Sequence, residues 1–458
     1  MTVSSVAESP PGIKSPLKFA RFGIRLGKDP YGALEDLHDR YGDIASVSAG
    51  RGQQFVFMFG RDANSFILSQ HKELFRFRES YQSLVPVDGE TALVVSDGED
   101  HARRRRLVQP AFRPHSLDGY LTQMTEEVNR VITRLPRGAV VDLYEQFRSA
   151  VRRTVIRSLF GEHLSERADE IGDTLEPALE FVNLPPQKQL KIKVVGSRYH
   201  SALKARALTD LIIDAEVTRR NAMDPPQRPD NDVLAMLLAP GEDGMTLTQQ
   251  ELRDQIVSPI AAGYDTTSGA LGWAIHELVT SNVVWKRSRD EIREVVGDRQ
   301  LKQDDIARLV YLDGIVNETL RLHPPGVIAP RYAVADFEFA GKHVPKGSLV
   351  FYSAYITQRD PELWTDPDAF LPQRWDPLAP DFRPVVPYSF VTFGGGSRRC
   401  IGFGYAILEL KAFLVEIIRR LTVRPDYDGT RTAEGIATVR PAGGIPVQIL
   451  RVEPSVRG

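Results

Sequence analysis

The chain has one cysteine, Cys400, and it stands in the stretch FGGGSRRCIG at residues 393–402. The run of three glycines allows a tight loop, and Arg398 and Arg399 are adjacent to the cysteine in sequence. Residues 401–420 have helical periodicity, so Cys400 stands at the start of a predicted helix. Because helix-terminal N–H groups and nearby cations both favour a thiolate, the pattern predicts a metal-binding sulfur.

The single sulfur ligand also restricts the metal. Thiolates bind soft or borderline metals, and one protein ligand among apolar residues suggests an iron whose other ligands belong to a porphyrin. The alternative is a buried thiol that only fills space in the core.

A long helix is predicted over residues 246–282, TLTQQELRDQIVSPIAAGYDTTSGALGWAIHELVTSN, which keep helical periodicity for about nine turns. Thr248 and Glu251 have the spacing of a capping box. At mid-length, Gly263 allows close approach of a flat ligand. The neighbouring pair Asp265 and Thr266 suits proton delivery through water, since the hydroxyl orients and the carboxylate relays. The alternative is an exposed acid beside a helix-tolerated threonine.

Two further groups of charged residues are candidates for structural or binding roles. Glu318 and Arg321 are three apart on a predicted helix and could form an ion pair, to which Arg374 of FLPQRW could add a second guanidinium. In DGEDHARRRRLVQPAF, His101 and Arg105 are four apart and could clamp anionic groups from one helix face. A solvated basic surface is the alternative for this second stretch.

Composition excludes several classes of protein. The 58 Lys and Arg residues against 60 Asp and Glu residues give a net charge of -2, so no global attraction to nucleic acid is expected. One cysteine excludes an internal disulfide framework and fits a reducing compartment, so we expect a cytoplasmic protein. The first 30 residues contain no continuous apolar stretch and are predicted to form an extension without a membrane anchor. Peripheral membrane contact stays open, because basic residues there alternate with apolar ones: Lys14, Lys18, Arg21, Arg25 and Lys28.

The remaining patterns indicate one helical body with small strand-rich parts. A hairpin at 44–59 precedes a helix at 61–75 and a long loop at 76–96. Amphipathic helices follow from 98 to 222, with breaks near Gly138 and at 183–189. The predictions beyond the long helix are strands at 327–353, irregular chain at 354–399, a helix at 401–420 and a closing hairpin at 430–452.

At four sites the chain resembles the cytochrome P-450 superfamily, the haem-thiolate monooxygenases. The family's cysteine-loop pattern F-x-x-G-x-R-x-C-x-G and its A/G-G-x-D/E-T-T and E-x-x-R helix motifs are all present. Arg374 matches the arginine of the family's meander motif, with Gln373 where an acid is commoner. The motif residues are Phe393, Gly396, Arg398, Cys400 and Gly402, then Ala262, Gly263, Asp265, Thr266 and Thr267, and Glu318 with Arg321.

The resemblance implies roles for these residues. Cys400 would be the proximal ligand of haem b, with Phe393 packed near the sulfur. Asp265 and Thr266 would deliver protons during activation of the co-substrate O2, and Glu318, Arg321 and Arg374 would form a structural triad. The haem propionates would be held by His101, which stands where many relatives carry tryptophan, and by Arg105, Arg331 and Arg398.

The resemblance also implies a fold and an activity. We expect a mainly α (α+β) fold over residues 1–458, with a helix-rich lobe, a smaller β-rich lobe, and haem between the long central helix and the cysteine-loop helix. The activity would be hydroxylation or epoxidation driven by NAD(P)H. No flavin is expected in this chain, so electrons would come from separate partners, a ferredoxin and its reductase. They would dock on a basic face near Arg103, Arg104, Arg399 and Lys411 of a monomer without a transmembrane segment.

The substrate pocket implied by the resemblance is predominantly apolar, so a lipophilic small molecule is predicted. Two other readings remain: a haem-thiolate peroxygenase, isomerase or dehydratase, and a non-catalytic haem-binding sensor. Nothing in the sequence resembles an output domain or a nucleic-acid reader. The predicted pocket residues are Val85, Val87, Leu93, Phe181, Leu184, Ala261, Ala262, Val327, Ile328 and Ile436, with Val94 beside them.

Overall fold

Helices dominate the chain in the computed structural model, which describes residues 8–50, 54–112, 119–184, 188–224, 227, 229, 232–240, 244 and 246–454. This is the mainly α architecture with small sheets that the sequence predicts. The α-helices are Pro16–Lys28, Pro30–Tyr41, Gly60–Ser65, Val85–Asp88, Gly98–Val108, Tyr120–Arg134, Leu143–Phe160, Glu162–Ser165, Ala168–Val182, Arg198–Asn221, Val233–Leu238, Gln249–Thr280, Asn282–Val295, Gln303–Ile306, Val310–Leu322, Ala354–Thr357 and Phe403–Arg420.

The longest of them, Gln249–Thr280, is called the central helix below. It begins with the predicted capping box: the Thr248 hydroxyl accepts from the Glu251 N–H at 3.2 Å, and the Glu251 carboxylate accepts from the Thr248 N–H at 3.1 Å. It packs against the helices Leu143–Phe160, Val310–Leu322 and Phe403–Arg420. Almost all of its length is therefore buried, which places any opening along it in the interior of the fold.

The strands form four small sheets. The six-stranded sheet has the order Gly12–Ile13, Ile44–Val47, Phe55–Met58, Leu349–Ser353, Ile328–Ala333 and Phe75–Arg76. The three-stranded sheet has the order Leu421–Pro425, Pro446–Val452 and Val140–Asp142. The two-stranded sheets pair Ala433–Glu434 with Arg440–Pro441 and Phe337–Phe339 with Lys342–Val344.

The largest apolar cluster surrounds the central helix and the helix Phe403–Arg420, called the cysteine helix below. Phe413 and Leu414 of the cysteine helix and Ile256 of the central helix are almost fully buried in it. Burying a side chain of this size stabilises the fold by about 1.5–3 kcal/mol. The cluster therefore fixes the two helices that carry the candidate chemistry relative to each other.

Three element predictions need correction. Residues 430–452 do not form one closing hairpin, because Pro446–Val452 pairs with Leu421–Pro425 and Val140–Asp142 instead. The predicted helix at 61–75 is α-helical only over Gly60–Ser65 and continues as a π-helical turn over Phe66–Gln70. The predicted loop at 76–96 contains the short helix Val85–Asp88. Local periodicity misses these features because strand pairing and short helices depend on distant packing partners.

Candidate functional site

The loop of residues 393–402 holds Cys400 next to the first turn of the cysteine helix. The Cys400 N–H donates to the Phe393 carbonyl oxygen at 2.9 Å, which closes the loop. Gly396 has a φ of +60°, and a Cβ at this position would lie 2.8 Å from the Leu68 carbonyl oxygen. A side chain here would clash with backbone, so the glycine lets the loop lie against the turn at Leu68.

The Cys400 side chain is open to solvent, although protein atoms surround it closely. Desolvation raises the pKa of the Cys400 thiol, whereas the Gly402 N–H, which donates to the sulfur, and the charges of Arg105 and Arg399 lower it. Coordination to a cationic metal deprotonates a thiol outright. The surroundings of Cys400 therefore favour a thiol that loses its proton on binding a metal over a thiolate that is free in the absence of metal.

A cluster of arginines lies near Cys400. The guanidiniums of Arg331 and Arg398 stack on the Phe77 ring, with 3.9 and 4.2 Å between Cζ and the ring centroid. Arg398 also donates to the Asp97 carboxylate at 2.7 Å. Burial lowers the pKa of Arg398 to about 10; Asp97 opposes this shift, and the charges of Arg331 and Arg105 add to it. Of these three guanidiniums, the described contacts pair only Arg398 with the Asp97 carboxylate, so an anionic group fits this place.

His101 faces the same cluster. The residue is 7% exposed, and its imidazole makes no hydrogen bond within the part of the chain that the structure describes. Burial and the charges of Arg398 and Arg105 lower the pKa of His101 to about 4, although Asp97 opposes them. A neutral imidazole offers one N–H donor to an anionic oxygen without adding another positive charge.

The central helix has one open patch in its buried middle. Ala262 is exposed, and Gly263 and Thr266 are partly exposed, whereas the residues on either side of this stretch are buried. Positions i, i+1 and i+4 share one helix face, so the three residues form a single surface. The Thr266 hydroxyl donates to the Ala262 carbonyl oxygen at 2.6 Å, as expected for a threonine within a helix.

Asp265 lies on a different side of the central helix from this patch. Its carboxylate is 3.9 Å from a guanidinium nitrogen of Arg148 and accepts a hydrogen bond from Thr438. Burial raises the pKa of Asp265, although Arg148 opposes that shift. Arg148 in turn donates to Glu176 at 3.1 Å, and the Glu176 side chain is 38% exposed. A chain of charged groups therefore joins Asp265 to the surface.

Glu318 is the centre of a buried hydrogen-bond network that joins the helix Val310–Leu322 to the irregular chain after it. Arg321 donates to both Glu318 oxygens at 2.9 and 2.8 Å, and Arg374 donates to one at 2.9 Å. The Leu371 N–H and the Trp375 indole N–H complete the set at 3.0 and 2.9 Å. The side chains of Glu318 and Arg321 are fully buried.

The predicted pocket residues fall into four groups. Val87, Phe181 and Ala261 belong to the main apolar cluster, against which Leu184 packs. Val327 belongs to a second apolar cluster, and Ile328 packs against it. Ile436 lies in the turn whose Ala437 and Thr438 N–H groups donate to Asn183, next to Leu184. Val85, Leu93, Val94 and Ala262 keep part of their surface exposed.

The basic face predicted for partner docking is smaller than its four residues imply. Arg104 is 5% exposed and donates to Ser96 and Glu251, and Lys411 is 5% exposed and forms an ion pair with Asp313 at 2.7 Å. Both are structural, because a buried cation needs its partner in place. Arg103 also forms an ion pair with Glu251. Of the four residues predicted for the docking face, Arg399 is the exposed one.

Several site residues escape sequence reasoning. Asp97 and Phe77 support Arg398, Trp375 completes the Glu318 network, and Arg148 holds Asp265. Each is distant in sequence from the residue it supports, so no local pattern signals it. Only Asp97 carries a clue, since it directly precedes the helix Gly98–Val108.

This donor set fits haem b. One sulfur beside a helix start suits an axial iron ligand, the arginine cluster with His101 suits two carboxylates, and the surface at Ala262 and Gly263 leaves room for a flat ring. The fit rests on residue chemistry from four separate segments, so it does not depend on any one motif.

Comparison with known proteins agrees with this geometry. The family model described as Cytochrome P450 matches residues 10–445. A putative cytochrome P450 139 of Mycobacterium tuberculosis is 39% identical over 427 residues, covering 92% of this chain and 98% of that protein. A pentalenene oxygenase of Streptomyces avermitilis is 33% identical over 344 residues, covering 73% of this chain and 75% of that protein.

A solved structure, the retinoic acid-bound cyanobacterial CYP120A1, has a TM-score of 0.87 at 27% identity and covers 98% of this chain and 100% of its own. The chain therefore belongs to the cytochrome P450 family. It is a haem-containing monooxygenase with O2 as co-substrate, and electron donors and a small-molecule substrate belong to its reaction. Within the described residues, no helix is long and apolar enough to span a membrane.

Proposed function

We propose that this protein inserts one oxygen atom from O2 into a lipophilic small molecule, by hydroxylation or epoxidation, as one cytochrome P450 domain. The observation that carries the proposal is the Cys400 thiol, which is open to solvent beside the Arg105, Arg331 and Arg398 cluster. Bound haem b supplies reductive activation of dioxygen.

Each site residue has a distinct task in this proposal. Cys400 ligates the iron, and its sulfur stays hydrogen-bonded to the Gly402 N–H. Phe393 shields the sulfur from one side and fixes the loop through its carbonyl. The propionates would be bound by Arg105, Arg331, Arg398 and the neutral His101. The negative charge of the propionates would offset the mutual repulsion of the three guanidiniums.

Protons are delivered by Thr266 and Asp265 in this proposal. The Thr266 hydroxyl lies on the open patch of the central helix, where it orients a water molecule. Asp265 has a raised pKa, and Arg148 links it to the partly exposed Glu176, so its carboxyl lies on a charged path that leads to the surface. Its position away from the patch requires a side-chain rotation in each cycle, which makes proton delivery a gated step.

The substrate is lipophilic in this proposal because the predicted pocket residues have no ionisable side chain. The proposal agrees with the similarity to a pentalenene oxygenase and to a retinoic acid-bound P450. Electrons come from a ferredoxin and its NAD(P)H-dependent reductase, which dock near the exposed Arg399.

Peripheral membrane contact is proposed for the helix Pro16–Lys28. Its Leu17 and Ile24 are 61% and 44% exposed beside Lys18 and Arg21, a combination that suits an anionic lipid surface. Co-sedimentation with vesicles rich in anionic lipid should fall in Leu17→Asp. The same change at Leu378, which is 92% exposed elsewhere, is the control.

The first experiment is the absorption spectrum of the dithionite-reduced protein with carbon monoxide. A strongly red-shifted Soret band is expected for thiolate ligation, and a band at the ordinary position would contradict the role of Cys400.

The second experiment is the oxidation of a lipophilic compound library with a ferredoxin, its reductase and NADPH. Turnover with hydrogen peroxide alone would favour a peroxygenase, and spectral binding without turnover would favour a sensor.

A further inference from the structure

The segment of residues 84–95 carries Val85, Val87 and Leu93 of the proposed pocket. Its short helix Val85–Asp88 packs against the central helix and against the helices Ala168–Val182 and Arg198–Asn221. Beyond that helix, the segment contains only the 3₁₀ turn Leu93–Val95, so its position depends on specific side-chain contacts more than on sheet or helix ladders.

Two of these contacts, both from Thr91, converge on Asp254 of the central helix. Its side chain is fully buried, and one carboxylate oxygen accepts from the Thr91 N–H at 2.8 Å and the Thr91 hydroxyl at 2.7 Å. The other oxygen accepts from Gln250 at 2.8 Å. At Gly89, where φ is +87°, a Cβ would lie 1.9 Å from this carboxylate, so only glycine lets the segment approach so closely.

Arg206 of the helix Arg198–Asn221 provides the countercharge. Its guanidinium is an ion-pair partner of Asp254, and it donates to the Val87 carbonyl oxygen at 2.6 Å and to Asp210 at 2.8 Å. One buried ion pair thus joins the central helix to a second helix, and both members hold the backbone of the 84–95 segment.

The chemistry of the pair makes this contact strong. Hydrogen bonds to ionised groups are stronger than neutral ones, and a buried charge that loses a partner keeps its full desolvation cost. Displacing the segment breaks the two Thr91 bonds and the Val87 bond at once. The segment should therefore move as a unit and only when the pair rearranges.

We propose that Asp254 is a positioning residue that, together with Arg206, holds segment 84–95 against the substrate pocket and sets how readily a ligand enters. The inference deepens the proposed function, because it rests on the pocket assigned to Val85, Val87 and Leu93. Asp254 touches no reacting atom and acts through the segment it holds.

The chain offers a matched control for testing this. Arg253 and Asp214 form an ion pair between the same two helices, with one nitrogen–oxygen distance of 2.9 Å. Within the described residues this pair makes no hydrogen bond to segment 84–95. Asp214→Asn therefore removes a charge between the helices without releasing the segment.

Amide hydrogen exchange of the holoenzyme is the first readout. Asp254→Asn should accelerate exchange in segment 84–95 by about tenfold, the equivalent of one charge-assisted hydrogen bond. Thr91→Val, which removes only the hydroxyl bond, should act in the same direction more weakly, and Asp214→Asn should not change the segment. Equal exchange in Asp254→Asn and Asp214→Asn would overturn the proposal; if Asp254→Asn does not fold, Thr91→Val decides.

The second readout is the rate at which imidazole binds the ferric enzyme, followed by its absorption change. Asp254→Asn and Thr91→Val should bind faster than the parent, with an unchanged reduced carbon monoxide spectrum, whereas Asp214→Asn should match the parent. Unchanged binding rates in both would overturn the assignment to ligand entry. Because neither readout requires turnover, failure of the monooxygenase proposal would be detected separately.

Discussion

At the scale of single residues, the chemistry of this site depends on the different surroundings of each side chain. Cys400 lies close to protein atoms that raise its pKa and to an N–H group and arginines that lower it. His101 is kept neutral by the same arginines that an anionic ligand would satisfy. Asp265 and Thr266 are adjacent in sequence, yet the acid is buried at Arg148 and the hydroxyl lies on the open patch.

The first prediction concerns Thr266. Thr266→Ala should retain haem and the red-shifted carbon monoxide band, but product formed per NADPH should fall by at least about tenfold, because a positioned proton donor is lost. Hydrogen peroxide should account for the missing electrons. Thr267→Ala, the same change at the buried neighbour, is the control, and equal coupling in Thr266→Ala and the parent would refute the relay assignment.

The second prediction concerns Cys400. Cys400→Ser should lose the red-shifted band of the reduced carbon monoxide complex, because a serine oxygen does not donate electron density to the iron as a thiolate does. Circular dichroism should show an unchanged helical content, since the loop is closed by the backbone bond to Phe393. A band that persists in this variant would assign ligation to another residue.

At the scale of elements, the Glu318 network connects a regular helix to chain that has little regular structure. Arg321 also donates to the carbonyl oxygens of Gln358, Pro367 and Ala369 at 2.7, 2.6 and 3.1 Å. One ion pair therefore satisfies backbone groups that neither a helix nor a sheet satisfies. The irregular region after residue 357 keeps its shape through this network.

The third prediction tests that role. Glu318→Gln should destabilise the protein by about 3–5 kcal/mol, because it leaves Arg321 and Arg374 buried with a weakened partner. Urea unfolding of the holoprotein measures this. Asp290→Asn is the control, since its ion pair with Arg293 is exposed and should contribute about 0–1 kcal/mol. Similar losses in both variants would refute the structural assignment.

At the scale of the whole molecule, the fold buries charged groups at several places where its elements meet. Asp88, Arg206 and Asp254 lie between three helices, and Glu318 and Arg321 lie beneath the irregular region. Such groups make stability depend on pH, because their pKa values differ between the folded and unfolded chain.

The fourth prediction uses Asp88. Burial raises the pKa of Asp88 from 3.8 to about 6, with Asp254 adding to the shift and Ser258 and Arg206 opposing it. The folded chain then binds the proton more tightly than the unfolded chain, so this contribution is full below pH 4 and is lost as pH rises through about 6. The stability of the parent relative to Asp88→Asn should fall by about 1–3 kcal/mol between pH 4 and 7.

The unfolding free energies of the parent and Asp88→Asn at each pH test this. Both proteins share every other titrating group, so the difference isolates Asp88. A difference that does not change with pH would show that Asp88 titrates normally in the fold.

The sequence by itself determined the features that depend on local spacing. The capping box at Thr248, the glycine loop before Cys400 and the Glu318–Arg321 spacing each need only a few consecutive residues. Helical periodicity also located the central helix and the cysteine helix to within about three residues. These features predict the fold class and the kind of cofactor.

Only the tertiary structure decided which side chains face each other. It paired Asp265 with Arg148, placed Arg331 and Arg398 on Phe77, and buried Arg104 and Lys411 that sequence alone left on the surface. It also paired Pro446–Val452 with Val140–Asp142 across about three hundred residues. Such contacts depend on packing between distant segments, and no local pattern carries that information.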